Sequence, residues 1–121
     1  MTYEEIKLKL LEDGIRSYKV FQGIKIYSHI VKTEDEQKQI SKRVYLTKKQ
    51  HYVYYERTDP NWYYWNKDRE NANFDPSDIH ENTLFEVADD LETLTKYLGK
   101  DIIHKLAEKV QHGEVTEYLD I

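Results

Sequence analysis

Ile6, Leu8 and Leu10 alternate with Lys7 and Lys9, and the run closes on Glu12-Asp13-Gly14. An apolar side chain at every second position suits a strand with one buried face, and Asp-Gly is among the strongest short signals for a hairpin turn. A helix is the competing reading, because Thr2 and Glu5 have the spacing of a capping box. The strand is favoured. Tyr18, Val20 and Phe21 follow in a second β-rich run, Gly23 punctuates, and residues 24–31 read as a third strand. Polar residues 33–39 read as a surface loop.

A second hairpin is predicted next: Arg43 to Thr47, a turn around Lys48-Lys49-Gln50, then His51 to Arg57. Tyr52-Val53-Tyr54-Tyr55 has the β-branched and aromatic character of strands. Asp59-Pro60-Asn61 should break it, since proline sets a turn and cannot donate to a ladder. Trp62-Tyr63-Tyr64-Trp65 suits a short edge strand or an aromatic loop, and residues 66–82, rich in Asn and Asp, read as an irregular excursion.

Beyond Thr83 the pattern changes. Leu84, Phe85 and Val87 form a brief strand, and Asp89 with Glu92 caps a helix carrying Leu91, Leu94 and Leu98 on one face. Gly99 stops that helix. A second begins near Asp101, turns Ile102, Ile103, Leu106 and Val110 inward, and ends at His112-Gly113. Residues 115–121 then form a short closing strand, with Leu119 and Ile121 buried and Tyr118 and Asp120 facing the other way. The expected fold is a single α+β domain over residues 1–121. Its parts are a hairpin-rich antiparallel sheet (1–57), an aromatic and irregular excursion (58–82), and a strand-helix-helix-strand unit (83–121) whose two helices pack on one face.

Composition narrows the class of protein. A chain of 121 residues supports one core. Although 34% of residues are charged, aromatics reach 13%, which separates this chain from disordered ones. With no cysteine there is no disulfide, thiolate nucleophile or sulfur-ligated metal, which fits a reducing cytoplasm. Met1-Thr2-Tyr3-Glu4-Glu5 lacks the basic and apolar regions of a signal peptide, and no apolar run approaches a membrane span. A cytoplasmic, soluble protein is expected. Residues 1–77 hold 14 Lys/Arg against 12 Asp/Glu, and residues 78–121 hold 4 against 11, so a uniformly basic footprint is missing.

Glu117-Tyr118-Leu119-Asp120-Ile121 resembles the ending of the EXLDI family, bacterial proteins named for a terminal Glu-X-Leu-Asp-Ile. Phe85-Glu86-Val87 leading into Asp90-Leu91-Glu92-Thr93-Leu94 resembles that family's approach to its ending. Val44-Tyr45-Leu46-Thr47-Lys48-Lys49-Gln50-His51-Tyr52-Val53 is similar to its central hairpin. Gln50 departs from the pattern, where the resemblance implies glycine. The resemblance spans residues 5–121 and supports the fold reading; the family lends no activity, substrate or cofactor. Some longer relatives carry a DNA-binding-like segment ahead of this region, for which the few residues before Ile6 are expected to leave no room.

Half of the chain's aromatics lie between Tyr45 and Trp65. Tyrosine and tryptophan join a large apolar body to a polar handle, which suits interfaces. Tyr54 and Tyr55 point to opposite faces of their strand, so both faces of the hairpin carry an aromatic. Helices cover one face, and the other is either a second packing layer or an exposed platform. The first reading is therefore a non-catalytic interaction or self-association module. It would use Tyr45, Tyr52, Tyr54, Trp62 and Trp65 toward an unknown protein partner or another copy of the chain; simple cross-strand pairing is the structural alternative. The second is single-stranded nucleic-acid or nucleotide binding by Lys42, Arg43, Lys48, Lys49 and Arg57, which are interleaved with tyrosines. Edge protection is the alternative for these lysines. A small hydrolase-like enzyme comes third, because scattered carboxylates can converge in a cleft. No catalytic residue, metal or cofactor is assigned: the five histidines lack metal-ligand spacing, and neither a nucleophile elbow nor a phosphate-cradling glycine loop is present.

Overall fold

The computed structural model describes residues 2–61 and 82–113, together with the backbone of residues 116–118. In chain order the elements are β1 (Glu4–Glu12), β2 (Ile15–Lys32), β3 (Lys38–Thr47), β4 (Tyr52–Pro60) and β5 (Asn82–Ala88). A 3-10 turn (Glu92–Leu94), α1 (Thr95–Leu98), α2 (Lys100–His112) and β6 (Thr116–Tyr118) follow. Strands β1 to β5 form one antiparallel sheet in sequence order, and β6 pairs with β2 in parallel, Tyr27 opposite Thr116. The architecture is α+β.

Alternation over Ile6, Leu8 and Leu10 makes β1 a strand, as the periodicity favoured, and all three are buried. Gly23 does not punctuate. It lies inside β2, an 18-residue strand whose first half pairs with β1 and whose second half pairs with β3. A Cβ at Gly23 would sit 3.0 Å from both the Leu46 carbonyl oxygen and the Phe21 ring, so glycine permits a close approach here rather than a break. Beyond it, Lys25 faces Tyr45 and Tyr27 faces Val44, leaving Ile26 as the extra residue of a bulge. A bulge bends its strand and sharpens the twist. β2 therefore carries β1 out of the plane and over the face of β3, β4 and β5.

This curl produces two hydrophobic clusters. On one face, Ile26, Tyr27, Val44, Leu46 and Tyr54 pack against Leu91, Leu94, Leu98, Ile103 and Leu106 from the helical segment. On the other, Tyr45, Val53 and Tyr55 pack beneath Ile6, Leu8 and Leu10 of β1, with Phe21 and Phe85 at the margin. The second face is a packing layer, not an exposed platform. Tyr54 stacks on Tyr97 at 4.3 Å between ring centres with planes 3° apart, and its hydroxyl donates to Glu56 at 2.7 Å. Such ring pairs add about 0.5–1.5 kcal/mol beyond area burial.

Two further boundaries differ from the sequence reading. β4 runs through Asp59 to end on Pro60, opposite Lys38; a proline is tolerated at a strand end, where no further ladder bond is required of it. The helical cap comes from Asp90 rather than Asp89: Asp90 Oδ1 accepts from the Thr93 amide at 2.9 Å and the Thr93 hydroxyl at 2.8 Å. Gly99, at φ 84°, ends α1 and starts α2, accepting from the Ile103 amide at 3.2 Å. The edge strand or loop read at Trp62-Tyr63-Tyr64-Trp65, most of the irregular excursion, and the burial expected of Leu119 and Ile121 lie outside the described residues.

Candidate functional site

β1 and the first half of β2 form an arm folded over the sheet. Its β1 side is stitched down by polar contacts. The Tyr55 hydroxyl donates to the Lys9 carbonyl at 2.6 Å, and the Leu11 amide donates to Thr83 Oγ1 at 2.9 Å. These bonds satisfy backbone groups that point away from β2.

The opposite side of the arm is different. β3 pairs with β2 only as far as Gly23, because the chain turns away at Lys48-Lys49-Gln50. Its last link is the Lys48 amide donating to the Gln22 carbonyl at 2.9 Å. In an antiparallel strand the N–H and C=O of one residue point the same way and those of its neighbour the opposite way. Since Gln22 faces β3, the groups of Val20, Tyr18 and Arg16 face outward along the line that β3 vacates. Among the described residues no strand pairs with that edge. Ile15, Tyr18 and Val20 beside it are 68%, 53% and 57% exposed.

Below the edge lies a groove of about 480 Å³ between the arm, the β3–β4 turn and β5. Phe21, Val53, Phe85 and Val87 line it, and Lys19, Lys48 and Lys49 stand at its rim. The volume is within the range of ligand pockets, and an apolar floor with a few polar groups is their usual composition. Phe21 is fixed by an edge-to-face contact with Tyr45, centres 5.7 Å apart. At the turn, Gln50 adopts φ 67°, the left-handed conformation that a three-residue hairpin loop demands of its third residue.

The aromatic residues singled out in the sequence do not share one surface. Tyr45 and Tyr54 are buried on opposite faces, 4% and 0% exposed, so neither is offered to a partner. Tyr52 is half-buried on the helix side, and Trp62 and Trp65 lie outside the described residues. The five cations separate likewise. Only Lys48 and Lys49 stand at the groove. Lys42 is on the helix-side face opposite Glu56, Arg43 lies over the Tyr55 ring, and Arg57 Nε pairs with Asp59 at 2.8 Å. Arg43 is five residues back along β3 from Lys48, about 17 Å of strand. Lys19, Tyr18, Val20, Phe85 and Val87 were not singled out from the sequence; the β-rich run at Tyr18 to Phe21 was legible, but not that it forms an open edge.

A second cleft, of about 910 Å³, lies between Tyr52 and the helical segment and includes Asp89, Asp90, Glu92, Lys100 and His104. Asp89, Asp90 and His104 are engaged locally. Asp89 meets His51 at 3.0 Å and is 91% exposed, and His104 meets Glu108 at 3.3 Å. Hydrogen bonds from Thr93 hold the Asp90 carboxyl below the usual carboxylate range, the opposite of what a general acid at neutral pH needs. Among the described residues no group of three His, Asp or Glu side chains is placed to hold a metal ion, and no helix is long and apolar enough to cross a membrane. The chain matches no family model, no curated protein and no solved structure.

Proposed function

We propose that this chain is a non-catalytic interaction module that completes its sheet with an extended segment from another polypeptide. The carrying observation is the outward edge of residues 15–22 of β2, lying directly above an apolar groove. Strand addition draws affinity from main-chain hydrogen bonds and specificity from alternate side chains that enter pockets. Here one set of side chains on an added strand would drop toward Phe21, Phe85 and Val87, and the other would lie beside Tyr18 and Val20. The interaction class is the one the aromatic content suggested, but its surface is this arm and not the Tyr45 and Tyr54 faces.

Amide exchange tests it. A nine-residue probe, Ser-Ser-Val-Ser-Phe-Ser-Val-Ser-Ser, is titrated into the protein. Outward amides of Arg16, Tyr18 and Val20 should exchange rapidly in the free protein and slow at least tenfold at saturation. Val20→Pro, which deletes one outward N–H at an exposed side chain, should weaken binding, and Val20→Thr should not. Binding that leaves those three amides unprotected refutes strand addition.

A further inference from the structure

Every charged side chain of β2 between Ile15 and Gln22 is a cation. Arg16 and Lys19 lie on the strand itself, and Lys48 and Lys49 extend the positive rim from the β3–β4 turn. The carboxylates of the arm lie at its two ends: Glu4 and Glu5 opposite Gly23 and Gln22 at one, and Glu12 opposite Ile15 with Asp13 in the turn at the other. Lys7, on the outer face, places its ammonium 4.6 Å from the centre of the Tyr18 ring and adds to the same field.

From this we infer that the segment received at this edge is acidic, with carboxylates alternating with bulky apolar side chains. The inference rests on the strand-addition reading above and specifies its partner. Two features of the site carry it. The groove has an apolar floor that a polar strand would leave empty, since Phe21, Val53, Phe85 and Val87 offer no side-chain hydrogen-bonding group. The rim discriminates between occupants by charge. A second copy laid antiparallel along the same edge would bring its own Arg16 and Lys19, and no carboxylate of its β2 edge, against these residues. Lysines on an open edge act against self-pairing in this way. The face of the arm turned away from the groove is cationic too, with Arg16 beside Tyr18 and Lys7 over the Tyr18 ring, so an added strand bearing Glu or Asp at alternate positions sets its carboxylates beside Arg16 and Lys7 while its apolar side chains enter the groove. Complementary charge of this kind sets partner choice and association rate more than raw affinity.

Three fluorescent nine-residue peptides of the form Ser-X-Val-X-Phe-X-Val-X-Ser, with X as Glu, Ser or Lys, test the inference on the full chain. The Glu peptide should bind about tenfold more tightly than the Ser peptide at low salt, the sum of a few exposed ion pairs. The Lys peptide should be weakest, and raising the salt should shrink the spread. In the Lys7→Glu/Arg16→Glu variant, whose substitutions are both at exposed positions on the face that the X side chains share, the order should reverse. Equal affinity for all three peptides, with the Val20 amide protected by each, overturns the acidic partner and leaves strand addition standing. Charge-ordered binding without protection of Val20 does the reverse, overturning strand addition. A free protein that sediments as a dimer with the Val20 amide already protected identifies the occupant as a second copy and overturns the inference. Binding of none of the peptides overturns it as well.

Discussion

Replacing Tyr55 and Tyr45 separately by phenylalanine isolates what holds the arm on the sheet. Both side chains are buried in the same cluster, 2% and 4% exposed, and both rings survive the change, so apolar packing is held constant. They differ in the hydroxyl. Tyr55 donates to the Lys9 carbonyl at 2.6 Å, whereas Tyr45 makes no hydrogen bond among the described residues. Tyr55→Phe leaves a part-buried carbonyl short of a donor, a loss of about 1–2 kcal/mol. With an unfolding entropy of about 2.1 cal/mol/K per residue, a chain of this length changes its Tm by roughly 4 °C per kcal/mol, so the midpoint should fall by about 4–8 °C. Tyr45→Phe should stay within about 2 °C on the same scale. Calorimetry reads the midpoints, and amide exchange reads where the structure loosens. In Tyr55→Phe the amides of β1 should accelerate more than those of α2. Equal midpoints for the two variants, or acceleration spread evenly over β1 and α2, would refute the view that this hydroxyl pins the arm.

Two other outcomes follow from the geometry. Gln50 holds a left-handed backbone that costs an L-residue about 1–2 kcal/mol and costs glycine almost nothing, so Gln50→Gly should exceed Gln50→Ala in chemical-denaturation stability by about 0.5–1 kcal/mol once the larger unfolded-state entropy of glycine is subtracted. The alanine comparison is needed because both variants lose the Gln50 Nε2 to Tyr3 hydroxyl bond of 2.9 Å; parity between them would mean the turn tolerates φ 67° freely. Glu86 accepts from Lys96 Nζ at 2.9 Å and from the Tyr97 hydroxyl at 3.1 Å, and these bonds, Lys96 first, hold its carboxyl below its ordinary value of 4.5. A folded-state value below the unfolded one stabilises above pH 4.5 and ceases to do so as pH falls through the folded value. The Tm difference between the wild-type chain and Glu86→Gln should therefore be constant near neutrality and narrow below pH 4.5, and a gap that widens on acidification would show that the carboxylate is not what the pair stabilises.

Local signals carried most of the fold. Period-two alternation located β1, the hairpin of β3 and β4 stood out by its tyrosines, and the leucine stripe with Gly99 and Gly113 placed the helical segment. Errors arose where a residue served a distant contact. Gly23 has the composition of a break, yet its missing side chain makes room for the Leu46 carbonyl and the Phe21 ring, neighbours that only the curled sheet supplies. Asp89 and Asp90 are equivalent by local rules, and the side chain that meets His51 from β4's approach leaves the cap to the other. The site was least legible of all. An open edge is a statement about where β3 stops relative to β2, and alternation within a single strand contains no record of how far its neighbour extends.

The burial of both faces of β4 has a consequence for how this sheet finds its alignment. In a half-exposed sheet a slip of one residue throws apolar side chains into water, so hydrophobicity alone enforces the alignment. Here Val53, Tyr54 and Tyr55 are consecutive and all buried, and a slip would exchange one covered ring for another. What distinguishes the two alignments is where the Tyr55 phenol oxygen lands, on the Lys9 carbonyl of β1. A chain with 11 tyrosines and 3 phenylalanines thus uses the hydroxyl as an address label, fixing which of two equally greasy compartments each ring enters.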